Sequence, residues 1–277
     1  MIKWWLGVWL LALGPGCSVS STAELVDLAS APTDDAAVPL ADGGNGSGSS
    51  NGFTFNFRGT SAAIRCSQTA AELRSAGAAE VTIGGTSLFT GYVQATATNQ
   101  NPLLVRFDGG AQTYCVEHET QAPDGRAYGL SYNGSDKLYV VYTVDGGGSA
   151  LDTAGQGGWL SSYGNGGGPL VSFIGSVNPS TGQLMRGTFI SALLGSGKIN
   201  TLKPTSAPVV LADGRIEFHG TSAFSPRNPD KSAMTGCMYP LDDYRAIFLA
   251  DFTQMSCASI KNCNVQVPCP NSALAIR

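Results

Sequence analysis

The chain has two histidines, and the carboxylates beside them are the first place to look for chemistry. His118 stands in Cys115-Val116-Glu117-His118-Glu119. On a strand, successive side chains alternate between faces, so Glu117 and Glu119 share one face and His118 takes the other. His219 shares a face with Glu217, a spacing that permits a carboxylate–histidine pair for acid/base work. A hydrolase could use a carboxylate pair, Glu217 with Asp213 or Glu117 with Glu119, if the two groups converged within about 5–10 Å in a pocket. The plainer expectation is a surface acidic pair and a partly buried, hydrogen-bonded histidine.

Other chemical signatures fail residue by residue. Gly195-Ser196-Gly197-Lys198 has the outline of a phosphate loop, but Ala192 stands where the first glycine belongs and Ile199 where the magnesium hydroxyl belongs. It reads as a hairpin turn. No Gly-x-Ser-x-Gly occurs in 53–277. Asp145 and Asp152 flank a glycine run without the alternating oxygens of a calcium loop, and Cys257, Cys263 and Cys269 have five residues between neighbours, unlike zinc-binding pairs. No catalytic set, cofactor or metal site is expected. The net charge of −4 excludes the basic face that nucleic acid requires.

The stretch best suited to binding is 145–168, a glycine-rich span that reads as one long loop and holds Trp159, Tyr163 and Asn165. Loops of that length in compact domains commonly carry function, and an exposed Trp with a Tyr four residues on could stack on a sugar or grip a partner. The alternative is that Trp159 folds back over the core while the glycines let the chain turn.

These groups must be carried by strands. Only 13% of residues are charged, against a usual ~25%, and 36 of 277 are glycine, a balance that favours turns over helices. Residues 170–222 read as four strands joined by turns at Asn178–Gly182, Gly195–Gly197 and Asp213-Gly214, the last a two-residue hairpin signal. A similar series runs from Pro102 to Ser149. Pro-Leu recurs at 102, 169 and 240 and Gly-x-Ser at 85, 147 and 220, which predicts about three meander units of roughly 70 residues. Phe53–Arg58 and Glu80–Gly84 would complete the third unit together with Tyr244–Phe252 and Ser256–Ile260, so that the two chain ends share a sheet. Thr69-Ala70-Ala71-Glu72 has capping-box spacing and predicts one short helix over 69–76.

Asp213-Gly214-Arg215-Ile216-Glu217-Phe218-His219-Gly220-Thr221-Ser222, with a looser copy at Leu138–Ser149, resembles the blade motif of bacterial extracytoplasmic β-propeller repeat proteins. The resemblance implies an all-β fold of antiparallel four-stranded meanders with propeller-like closure. A β-trefoil-like barrel or a β-sandwich would suit the same strands.

Residues 1–16 have the form of a signal peptide: Lys3, then an apolar run from Trp4 to Leu13 too short to span a bilayer. Leu13-Gly14-Pro15-Gly16-Cys17 resembles a bacterial lipoprotein processing site, which implies acylation of Cys17 and, with Ser18 rather than Asp following, the outer membrane. Gly14 and Pro15 depart from that pattern, so secretion without a lipid is the alternative. Residues 17–52 then serve as a flexible tether of Ala, Ser, Gly and Asp without Lys or Arg, and 53–277 form a single domain. Cys66, Cys115, Cys237, Cys257, Cys263 and Cys269 remain, an even set consistent with three disulfides in an oxidising compartment. Fifteen pairings are open. Pairing Cys66 with Cys115 and the last four among themselves is preferred, because the latter cluster on turns near the chain end. The functional expectation is an envelope-anchored, non-enzymatic domain, tethered to the bilayer by its acyl anchor, that binds a glycan or an envelope protein. A carboxylate-pair hydrolase and a purely structural envelope component are the rivals.

Overall fold

The computed structural model describes residues 46–50, 53–57, 60–121, 124–166 and 168–270. The expected signal peptide, Cys17 and most of the expected tether lie outside these residues. Seventeen strands and two short helices follow in order: β1 (Gly46–Ser50), β2 (Phe53–Phe57), α1 (Ala70–Ser75), β3 (Ala79–Ile83), β4 (Thr86–Gln94), β5 (Gln100–Asp108), β6 (Ala111–Glu117), β7 (Gly125–Tyr132), β8 (Leu138–Val144), α2 (Ser149–Gly155), β9 (Val171–Val177), β10 (Leu184–Ile190), β11 (Ala192–Leu193), β12 (Ile199–Asn200), β13 (Leu202–Pro204), β14 (Val209–Val210), β15 (Ile216–Ser222), β16 (Tyr244–Phe248) and β17 (Met255–Ser259). The end of the span read as a tether, 46–50, thus pairs as a strand with β2.

The strands form two large open sheets, and β11 pairs with β12 in a separate two-stranded one. The first is an up-and-down meander in the order β1-β2-β3-β4-β5-β6. The second runs β17-β16-β15-β13-β9-β8-β7, with β10 added on β9 and β14 on β15. Pairing between these strands is antiparallel apart from the short contact of β13 with β9 at Leu202 and Val171, and Ala63 adds an isolated parallel bridge to Tyr92 of β4. The fold is all-β and sandwich-like. Propeller-like closure is not found among the described residues, and the chain ends do not share a sheet: β2 and β3 lie in the first, β16 and β17 in the second. The recurring dipeptides mark unrelated places. Pro102 lies inside β5, Pro169-Leu170 precedes β9, and Pro240-Leu241 lies in a loop. Gly85 precedes β4, Gly147 leads into α2, and Gly220 is inside β15. Motifs that fall inside a strand in one place and in a turn in another do not encode strand order.

Alternation of side chains explains how the layers stack. Leu138, Val140 and Tyr142 of β8 join Val81, Leu88 and Leu104 of the first sheet in one core. Tyr139 and Val141, on the opposite face of β8, join Phe218, Tyr244 and Phe248 in another. β8 and β9 are therefore buried along their whole length, which accounts for the absence of charged residues from Leu138–Val144 and Val171–Val177. Behind the first sheet, Leu73 of α1 and Ile64 pack on Phe89, Leu103 and Val105. Helix α1 starts where its capping box predicts: the Thr69 side chain accepts from the Glu72 amide, and Glu72 accepts from the Thr69 amide at 2.7 Å. Arg74 then ties the helix to β3 through Glu80.

Three disulfides join Cys66 to Cys115, Cys237 to Cys263 and Cys257 to Cys269. Bonds of this kind belong to an oxidising, extracytoplasmic compartment. The first spans 49 residues and pins the segment leading to α1 onto β6. Closing a loop of that length stabilises by about 4 kcal/mol on the chain-entropy account. Replacing both Cys66 and Cys115 by Ala is expected to lower the unfolding free energy by about 2–4 kcal/mol, read from the midpoint of urea denaturation at unchanged slope.

Candidate functional site

The histidines are structural partners. His118 is buried just beyond β6; its Nε2–H donates to the Gly182 carbonyl at 2.7 Å and its Nδ1 accepts from the Tyr142 hydroxyl. Both ring nitrogens are engaged by a neutral imidazole, and burial pushes its pKa down to about 4 against the smaller opposing pull of the Gly182 carbonyl. On β15, His219 Nε2 meets Glu217 Oε1 at 2.5 Å, so the expected carboxylate–histidine pair is formed. A third partner, not foreseen, completes it: Arg245 of β16 holds the same carboxylate with two nitrogens at 2.7 and 2.8 Å. Burial alone would raise the Glu217 pKa, but the Arg245 and His219 bonds outweigh it and hold it at about 2.

The carboxylate pairs that a hydrolase would need are each engaged elsewhere. Asp213 closes the turn before β15 by bonding Arg215, while Glu217 is committed to Arg245. Glu117 is exposed and accepts from Asn101 at 2.6 Å; Glu119 is turned into the interior. Burial raises the carboxyls of Glu119, Asp145 and Asp152, with the charge of Asp152 adding to the effect on Glu119 and that of Asp124 to the effect on Asp145. Among the described residues, no three His, Cys, Asp or Glu side chains form a metal-ligand group.

The span 145–168 is not one long loop, because it contains α2, which buries Leu151 and Ala154. Trp159 is corrected as an exposed ligand platform. It is 2% exposed, its indole N–H donates to the Pro229 carbonyl at 2.7 Å, and its ring meets Phe248 edge-on at 5.8 Å. The apolar face gains more from that core than from water, and the one polar atom finds a partner inside. Tyr163 is also buried, its hydroxyl donating to the Pro169 carbonyl at 2.7 Å. Asn165 stays exposed. Tyr163 and Asn165, but not Trp159, line one open concavity of about 490 Å³ together with Asp152 and Gly147.

The sequence reading leaves out the most exposed apolar group. Met238 and Tyr239 are 69% and 62% exposed, and Phe224 is 40%. The Phe224 and Tyr239 rings pack edge-to-face at 6.4 Å. Their loops are held at several points: Cys237 is bonded to Cys263, the Met238 amide donates to Asn262 O at 2.8 Å, Asn262 Nδ2 donates to Pro240 O at 2.9 Å, and Ser222 Oγ donates to Phe224 O at 2.6 Å. Cys237-Met238-Tyr239-Pro240, two large apolar residues between a disulfide cysteine and a proline, was the available signal.

Residues 36–119 match the family described as PilS N terminal, a bacterial, pilin-related family. The matched span is 84 of 277 residues (36 to 119 inclusive); it takes in the six strands of the first sheet, α1 and the Cys66–Cys115 bond, and stops at Glu119. No curated protein matches the chain.

Two outcomes follow from this geometry. Trp159→Ala should cost about 3–5 kcal/mol of stability, as emptying a core aromatic site does, measurable by denaturant unfolding. The depressed pKa of His118 means that the unfolded chain binds a proton between its own pKa, about 6.5, and the folded value of about 4. Stability therefore falls as pH drops through that window, by up to about 1.4 kcal/mol per pH unit for this one group. The difference between wild type and His118→Gln, followed by unfolding from neutral to acid pH, should carry that slope.

Proposed function

We propose that the chain is a bacterial envelope protein, acylated at Cys17 and held at the outer membrane, whose all-β body binds a glycan or protein partner without chemical turnover. The observation that carries this reading is the Phe224, Met238 and Tyr239 cluster. Large apolar side chains left together in water on a surface of few charges mark a recognition site more often than an accident of packing. A disulfide and main-chain hydrogen bonds fix the loops in advance, so that binding loses little further conformational entropy. Edge-to-face aromatics with a free hydroxyl suit the apolar face of a sugar ring or an aliphatic protein surface. The engaged state of Asp213, Glu117 and Glu217 favours this reading over the carboxylate-pair hydrolase.

A structural envelope role is the second reading, favoured by the match of 36–119 to a pilin-related family. On that reading the same cluster contacts another copy of the chain, and the purified protein self-associates with concentration.

Glycan-array screening and pull-down from envelope fractions test the first reading. Tyr239→Ala and Met238→Ala are expected to weaken capture at least about tenfold, as loss of a central contact does, while the melting temperature stays at that of the wild type. Capture that survives both substitutions removes the site.

A further inference from the structure

Among the described residues, two buried carboxylate oxygens have no hydrogen-bond partner: Glu119 Oε2 and Asp152 Oδ1. Glu119 is 1% exposed. Its Oε1 accepts from the Gln121 amide at 2.7 Å, while its Oε2 lies over Gly148, only 1.4 Å from where a Cβ on that residue would stand. Asp152 approaches the adjacent glycine, its Oδ2 lying 3.0 Å from the Cβ position of Gly147. The two carboxylates therefore bracket consecutive glycines, and Asp152 also faces the open concavity beside Tyr163 and Asn165.

An unpartnered buried carboxylate oxygen is costly unless a donor or a cation meets it. The surroundings supply more negative charge: Asp145 accepts from the Asp124 amide at 2.7 Å, and Asp124 from the Gln100 amide at 2.9 Å.

We propose that Glu119 and Asp152 are the carboxylate ligands of one divalent cation of the calcium class, entered from the concavity and completed by main-chain carbonyls and water. Oxygen-only donors on an irregular glycine-rich turn suit a hard cation with loose geometry, and among the described residues no His or Cys joins the two carboxylates in a ligand group that would favour zinc. Two carboxylates place the affinity at the weak, extracellular end, a Kd on the order of 10⁻⁴–10⁻³ M. The ion would tie the exit of β6 to the start of α2. This site is separate from the Phe224 cluster and stands or falls independently of it.

The test uses the intact chain stripped with a chelator, with Ca²⁺ alone as ligand. Thermal melting near neutral pH should rise by roughly 5–10 °C when Ca²⁺ exceeds Kd a hundredfold. Tb³⁺ should give luminescence sensitised by the Tyr163 ring and be displaced by Ca²⁺. Glu119→Gln and Asp152→Asn, both close in shape to the native residues, should each abolish the shift and the emission, yet melt in chelator no lower than wild type. A wild-type melting curve indifferent to Ca²⁺ overturns the proposal without recourse to any variant. A shift that survives both substitutions also overturns it, because the ion would then be bound elsewhere.

Discussion

The structure depends on burying β8 and β9 on both faces. Seven consecutive residues in each strand are shielded from water, so each strand spends every side chain on packing and has no face left for solvent. Burial of a large aliphatic or aromatic side chain stabilises by about 1.5–3 kcal/mol, which makes this wall the largest concentration of hydrophobic stabilisation in the second sheet. It also fixes what stands on either side. Leu138, Val140 and Tyr142 require the first sheet to cover them, and Tyr139 and Val141 require Trp159, Phe218 and Phe248.

That requirement decides which groups remain for recognition. Trp159, the best ligand platform by residue type, is consumed as a cover for the second core, while His118 is bonded to Tyr142 of the first. The residues left free are on loops farther out, around Phe224 and Met238 to Tyr239. Beside the buried Met234 and Leu241, covalent and main-chain bonds fix the Met238–Tyr239 loop: Cys237 with Cys263, and the amide of Met238 on Asn262 O. Among the few charges of the chain, the buried Glu217 is shared between Arg245 and His219.

Local chemistry was legible in the sequence, and long-range order was not. The capping box at Thr69 and Glu72, the Asp213-Gly214 turn and most strands can be read because their determinants lie within a few residues. β4 escapes notice: Thr86–Gln94 mixes polar and apolar residues and has Gly91 in its middle, where the backbone carbonyl of Ala62 passes too close for any side chain. α2 is hidden by the glycines around it. The repeated Pro-Leu and Gly-x-Ser motifs fall inside strands, in turns and in loops alike, so they carry no strand order. The fate of Trp159 was undecidable locally, since its partners Pro229, Phe248 and Phe252 lie some seventy or more residues away. The cluster at Met238 was passed over because a single aromatic next to a proline has no periodicity to flag it.

Hydrogen–deuterium exchange resolved by residue tests most directly whether the two sheets are one cooperative unit built on the β8–β9 wall. The account predicts that the amides of Leu138–Val144 and Val171–Val177 exchange last and together with those of β4 and β5, at the rate of global unfolding. Exchange of β8 and β9 as early as the edge strands, or a first sheet that opens well before the second, would contradict it.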